Sequence, residues 1–240
     1  MTATQRLAGR IALITGASRG IGAAVAKRFA AEGAQVIALA RTVGGLEELD
    51  DAIRAGGGRA TLVPLDLRDF DKIDQLGATL HERFGRLDVL VGNAGVLGSL
   101  SPMGHFKPKI WAEVIETNLT ANWRLIRSMD PLLRQSDAGR AIFTTCAAAR
   151  DATPYWGAYA ASKAGLETMV KIYAGELGQT KIRANLVDPG IVATKLRTQG
   201  FPGEDQARLA APEDVTEPFV ALAVADCTRN GEVVRIVAQA

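Results

Sequence analysis

Short apolar runs alternate along the chain with longer stretches in which apolar positions recur every three or four residues. RIALIT (10–15) followed by GIGAAVAKRFAAEG is the first such pair. Runs of the first kind have the length of a buried strand, and those of the second kind have the period of an amphipathic helix. The same pattern predicts a strand at AQVIALA (34–40), a short helix in GGLEELDDAIRAGGG and a strand at ATLVPLD (60–66). A polar helix from about Asp69 to Phe84 and a strand at LDVLVG (87–92) follow. Residues 98–109, with Gly, Pro and Ser, read as a loop before a long helix from about Trp111 to Gln135 that carries Pro131 late in its course. RAIFTTC (140–146), KIRANLVD (181–188) and GEVVRIV (231–237) read as the remaining strands. YAASKAGLETMVKIYAGELG (159–178) is a helix ended by glycine, and 195–212 reads as a polar, mobile loop. Strands alternating with helices predict an α/β fold built on a parallel sheet with helices on both faces. No repeat, low-complexity tract or linker interrupts the pattern, so residues 1–240 read as a single domain.

Composition narrows the function classes. Nearly half of the residues are apolar and only 5% are aromatic, which supplies one sizeable aliphatic core. A formal charge of +2 is too small for a general nucleic-acid surface. No apolar run reaches the roughly 18 residues that span a bilayer, and MTATQRLAGR lacks the apolar centre of a secretory signal. Cys146 and Cys227 are the two cysteines and have no metal-ligand spacing. A reduced, cytoplasmic protein without membrane, nucleic acid or metal is expected.

The first strand ends in TGASRGIG (15–22). Gly16, Gly20 and Gly22 stand where the chain must turn sharply and let a diphosphate approach a helix N-terminus, whose free N–H groups and dipole favour an anion. The spacing is G-x-x-x-G-x-G rather than G-x-G-x-x-G, and a plain glycine turn is the alternative. About 20 positions on, an acidic residue would hold the adenosine ribose of NAD. Here the second strand ends in Ala40 and Arg41, with no carboxylate, and Arg19 adds a guanidinium from the turn. Two arginines without an acid suit a ribose 2′-phosphate, so NADP is expected over NAD. Two solvated surface arginines are the alternative.

TGASRGIG, NAG (93–95), Asn118 in TNLTAN, YAASK (159–163) and DPGIVAT (188–194) occur in this order. Together they resemble the short-chain dehydrogenase/reductase family over nearly the whole chain. The resemblance implies a single Rossmann-type, doubly wound parallel sheet of about seven strands. It also implies a nicotinamide cofactor, and hydride exchange between a carbonyl and an alcohol. Tyr159 would be the general acid/base, and Lys163, one helical turn on, would stabilise its phenolate and bind the nicotinamide ribose. Asn118 would help to hold Lys163 through a water-linked relay. Ser18, Arg19 and Ile21 would complete the diphosphate turn, Asp66 and Leu67 would contact the adenine, and Asn93, Ala94 and Gly95 would close over its ribose. Pro189, Gly190, Val192 and Thr194 would position the carboxamide. A small-molecule substrate and a homo-oligomer, dimer or tetramer, formed through the two long helices are further implications.

One departure falls in the catalytic set. The family's serine, thirteen positions before the tyrosine, is Cys146 here. As a nucleophile it lacks a thiol-enzyme signature around His81 or His105. As filler it packs like a small hydrophobe, and as a substitute its S–H is a weak donor. The substitute is the reading adopted, with Thr144 on the same strand face as a possible source of a hydroxyl and Thr145 facing away. Gly92 stands before NAG, and the chain has no glycine-rich ending of the family's kind. A substrate pocket is expected at Tyr155, Trp156 and the 195–212 stretch. The leading expectation is an NADP-dependent oxidoreductase; the alternative is a cofactor-binding sensor or scaffold with little turnover.

Overall fold

The computed structural model describes residues 5–236. Seven strands form one sheet: β1 Ile11–Thr15, β2 Gln35–Ala40, β3 Ala60–Pro64, β4 Val89–Gly92, β5 Arg140–Thr144, β6 Arg183–Asp188 and β7 Val233–Arg235. Their order is β3-β2-β1-β4-β5-β6-β7, and every neighbouring pair is parallel. The helices of the first half are α1 Gly20–Ala31, α2 Val43–Ala55 and α3 Phe70–Phe84. Those of the second half are α4 Pro108–Ile115, α5 Ala121–Leu133, α6 Ala148–Asp151, α7 Gly157–Glu176, α8 Lys195–Gly200 and α9 Glu217–Ala223.

The strands are apolar at successive positions because both faces of the sheet are covered. Ile11, Leu13, Ile37 and Leu39 enter one apolar cluster, and Ala12, Ile14, Val36 and Ala38 enter the other, as strand alternation requires. Running outward from β1 the chain winds first one way and then the other. The crevice beyond the carboxyl ends of β1 and β4 is therefore the place where an open α/β sheet binds ligands.

At the opposite end of the sheet, buried Asp88 ties several segments together. It accepts the Ile11 N–H at 2.8 Å, the Ser136 hydroxyl at 2.5 Å and the Arg86 guanidinium at 3.1 Å. Arg140 is also buried, and it donates to the carbonyls of Gly139, Lys181, Val224, Ala225 and Cys227.

Several elements differ from expectation. The long helix starts at Pro108, whose fixed φ suits the first helical position. It widens into a π turn at Glu116–Thr120 before α5, which ends at Leu133 and contains Pro131. β5 stops at Thr144, so Cys146 lies beyond the strand, and the four-residue α6 follows it. The 195–212 stretch contains α8, whose first turn is capped by Thr194 Oγ1 accepting the Arg197 N–H at 3.2 Å. It also holds a 3₁₀ turn at Gln206–Arg208. The part of the expected last strand at 237 lies outside the described residues. Among the described residues no helix is long and apolar enough to cross a membrane.

Candidate active site

The glycine turn is built by close approach of backbones. Thr15 Oγ1 donates to the Val91 carbonyl at 3.2 Å and accepts the N–H groups of Asn93 and Ala94 at 3.0 and 3.1 Å, joining the ends of β1 and β4. Gly16 has φ +67°, and a Cβ there would stand 2.9 Å from Ala94 Cα. A Cβ on Gly22 would fall 2.3 Å from the Gly16 carbonyl oxygen. No side chain caps α1 at Arg19, so the first N–H groups of the helix remain available to an anion. These features leave a backbone cradle with free N–H groups, whose space and donors fit a diphosphate.

The cradle opens into a cleft of about 960 Å³ along the carboxyl edge of the sheet. Of the catalytic and cofactor-binding residues expected above, all border it except Gly22, which packs beneath the turn, and Asn118, which lies behind the wall. Arg19 and Arg41 are both on the rim. Arg41 is not free, since its Nη1 lies 3.8 Å from an Asp66 carboxylate oxygen that Arg68 also approaches at 3.3 Å. Burial pushes the Asp66 carboxyl up, but hydrogen bonds from the Arg68 backbone and guanidinium and the charge of Arg41 outweigh it and hold the group below the usual carboxylate range.

At the far end, Tyr159 stands in the first turn of α7 with Lys163 one turn later, its Nζ 5.9 Å from the phenol ring centre. Both are buried. Lys163 donates to the Thr144 carbonyl at 2.7 Å, which anchors α7 to the end of β5. Asn118, in the π turn, is fully buried. Its side-chain amide pairs with both backbone groups of Val96, at 2.8 and 2.9 Å, and donates to Ser162 Oγ at 3.0 Å. Its carbonyl accepts from Asn122 at 2.8 Å, so what Asn118 directly braces is the 95–96 wall of the cleft. A Cβ on Gly95 would lie 3.7 Å from Lys163 Nζ, so the wall there is close to the ammonium.

The electrostatics correct one expectation. Burial, together with the neighbouring Cys146 and the charge of Asp188, pushes the Tyr159 phenol well above the usual tyrosine value. Burial also lowers the Lys163 ammonium, with Cys146 opposing that shift. In the protein alone the cost of desolvating a phenolate therefore outweighs any lowering of the phenol by Lys163.

Cys146 is half-buried, borders the cleft and faces Tyr159, in the place the resemblance gives to serine. Thr144 does not replace the missing hydroxyl: its Oγ1 donates to Asn93 Oδ1 at 3.2 Å. Thr145 donates to Glu167 at 2.8 Å, on the α7 side. The strand has ended, so alternation no longer fixes which side chain faces the cleft.

Trp156 borders the cleft, 5.8 Å from the Tyr159 ring and 5.9 Å from Phe201, whereas Tyr155 is exposed and outside it. Phe201, from the 195–212 stretch expected at the pocket, completes an apolar wall with Leu97 and Ile110, which the sequence reading did not name. Gln199 of α8 donates to the Gly98 carbonyl at 3.0 Å, holding this helix across the cleft.

The sequence pattern of the family described as short chain dehydrogenase matches residues 10–205. The oxidoreductase YciK of Escherichia coli K12 is 36% identical over 224 residues, covering 92% of this chain and 88% of that protein. A 3-oxoacyl-[acyl-carrier-protein] reductase of Synechocystis is 34% identical over 216 residues, 87% of each. A solved short chain dehydrogenase from Shigella flexneri 2a, complexed with NADP, has a TM-score of 0.93 and 34% identity. It is matched over 97% of this chain and 99% of that one.

Proposed function

The chain belongs to the short-chain dehydrogenase family of oxidoreductases, and from that premise we propose that it reduces or forms a small carbonyl compound with NADP(H). The observation that carries the reading is the placing of Tyr159 and Lys163 on one face of α7 at the end of a cleft that begins at the glycine cradle. Gly16, Ser18, Gly20 and Ile21 would hold the diphosphate; Asp66, Leu67, Asn93, Ala94 and Gly95 the adenosine; Pro189, Gly190, Val192 and Thr194 the nicotinamide. Arg19 and Arg41, with no acid at the end of β2, support NADP over NAD, as does the NADP bound to the Shigella relative.

When bound, the cofactor supplies or takes up the hydride. Tyr159, kept neutral by burial, gives its proton to the reduced carbonyl oxygen, or takes one from an alcohol in the reverse direction. Lys163 brings positive charge to the phenol and the nicotinamide ribose while its bond to Thr144 fixes its position. Cys146 points a weak donor at the same oxygen. The relatives are named as oxidoreductases, which does not favour a cofactor binder without turnover.

NADPH oxidation measured against ketones, quinones and 3-oxoacyl thioesters tests the proposal. At least one class should be turned over, and Tyr159→Phe should reduce the rate by more than about a hundredfold. Tight NADPH binding with no turnover across the panel would overturn it in favour of the binder. We further propose a homo-oligomer through α4–α5 and α7, where Trp111, Trp123 and Ile172 are exposed. Light scattering that shows a monomer at micromolar concentration would refute this.

A further inference from the structure

We propose that Arg150 is a positioning residue for the nicotinamide end of the cleft: by holding Glu167 of α7 and Asp188 of β6 on one guanidinium, it fixes the path of the segment that begins at Pro189. The inference rests on the cofactor reading above.

Arg150 lies on α6, between Cys146 and Tyr159 in sequence. Its Nη1 donates to Glu167 Oε1 and its Nη2 to Asp188 Oδ2. Both carboxylates are buried, at 6 and 5% exposure. Thr145 Oγ1 donates to the same Glu167 oxygen at 2.8 Å, and Lys171 Nζ stands 3.8 Å from the other. Asp188 Oδ1 accepts the Gly190 N–H at 3.2 Å, closing the turn at Gly190, where φ is +72°. A continuous set of polar contacts thus runs from the residue beside Cys146 to the turn that would lie under the nicotinamide.

Two features give this set its force. Buried carboxylates that lose a close cation are strongly unfavourable, so removing Arg150 leaves Asp188 without its cation and Glu167 with only Lys171 at 3.8 Å. Two separate acids on two nitrogens of one planar group also demand arginine; the point charge of lysine cannot span them with the same geometry. The connection is constrained further by Ala152 and Tyr155, non-glycine residues with φ of 48° and 74°, a conformation that persists only where its surroundings determine it.

The test compares the two halves of the cofactor. NADPH affinity is read by nicotinamide fluorescence, and affinity for 2′,5′-ADP, which lacks the nicotinamide, by calorimetry. Arg150→Met should weaken NADPH at least tenfold and leave 2′,5′-ADP within about twofold, whereas general loss of structure would weaken both. Arg150→Lys should recover only part of the NADPH affinity.

Should Arg150→Met unfold, the triple variant with Glu167→Gln and Asp188→Asn removes every buried charge of the set. It should still bind 2′,5′-ADP normally and NADPH weakly. NADPH affinity within twofold of the parent in either variant, or parallel loss of both ligands in both variants, overturns the proposal. A parent protein that binds neither ligand removes the cofactor reading itself. Binding of NADH and 5′-ADP instead corrects only the phosphate specificity, and the same comparison is then made with that pair.

Discussion

Cys146 stands two residues past the end of β5 with its thiol at the cleft, and its replacement tests whether a weak donor limits the reaction. Loss of a good donor to a developing oxyanion costs on the order of 3 kcal/mol, about a hundredfold in rate. Cys146→Ser should therefore raise kcat, because the recovered bond acts on charge formed in the transition state. The site is half-buried and open to the cleft, so the serine hydroxyl is not stranded, and the denaturation midpoint should hardly move. Cys146→Ala should be slower than the parent, since the hydroxyls of Thr144 and Thr145 are already engaged. A serine variant that is less stable and no faster would assign Cys146 to packing.

With Tyr159 as the proposed acid/base, its raised phenol should set the pH dependence. Carbonyl reduction needs the protonated form and should persist through neutral pH, falling only in alkali. Alcohol oxidation needs the phenolate and should climb from about pH 7 and still be climbing at about pH 10, the ordinary tyrosine value. Rates in both directions at saturating cofactor check this; an oxidation rate that is flat or falls with pH contradicts it. For the cofactor, NADPH should bind at least about tenfold tighter than NADH, or about 1.4 kcal/mol. Arg41→Ala should erase most of that gap with NADH binding unchanged, and fluorescence titration giving equal affinities in the parent protein would refute the assignment. Tyr159 and Lys163 were legible in the sequence through the YAASK motif that carries the family resemblance, and their spacing of one helical turn sets both on one face of α7. The Arg150 contacts were not, because residues 150, 167 and 188 share no period and meet only once three elements have packed.

Among elements, the strands were readable for a physical reason: a sheet covered on both faces needs unbroken apolar runs, and IALIT and QVIALA are such runs. α8 was not readable, since its six residues are too few to show a period and its position depends on a threonine cap and the Gln199 contact. The π turn left no apolar signature either, yet it places Asn118 against Val96. At the other end of the sheet, Asp88→Ala strips partners from the Ile11 N–H and the Ser136 hydroxyl together. A buried donor left unpaired costs about 1–3 kcal/mol, so the two together should lower stability by about 2–6 kcal/mol. Affinity for NADPH in the folded variant should not change, because Asp88 lies at the edge of the sheet remote from the cleft. Urea denaturation and NADPH titration check the pair of outcomes, and a loss under about 0.5 kcal/mol would contradict the account.

For the whole molecule, the strand order has a consequence in time. β1 lies between β2 and β4, and the Ile11–Asp88 contact beside its β4 edge spans 77 residues of sequence. During synthesis at about 5–20 residues per second, β2 is available to β1 early, while the other edge of β1 stays bare for several seconds until Val89–Gly92 emerges. β6 and β7 arrive later still, with the segment from Pro189 to Thr194 that borders the cleft. Closing such long loops before their contacts form makes parallel sheets slow to fold and exposed to aggregation. Refolding from denaturant should therefore take on the order of seconds. Binding of an apolar dye should rise and then fall as the open edge of β1 is covered, and stopped-flow traces finished within about a millisecond would exclude this order of events.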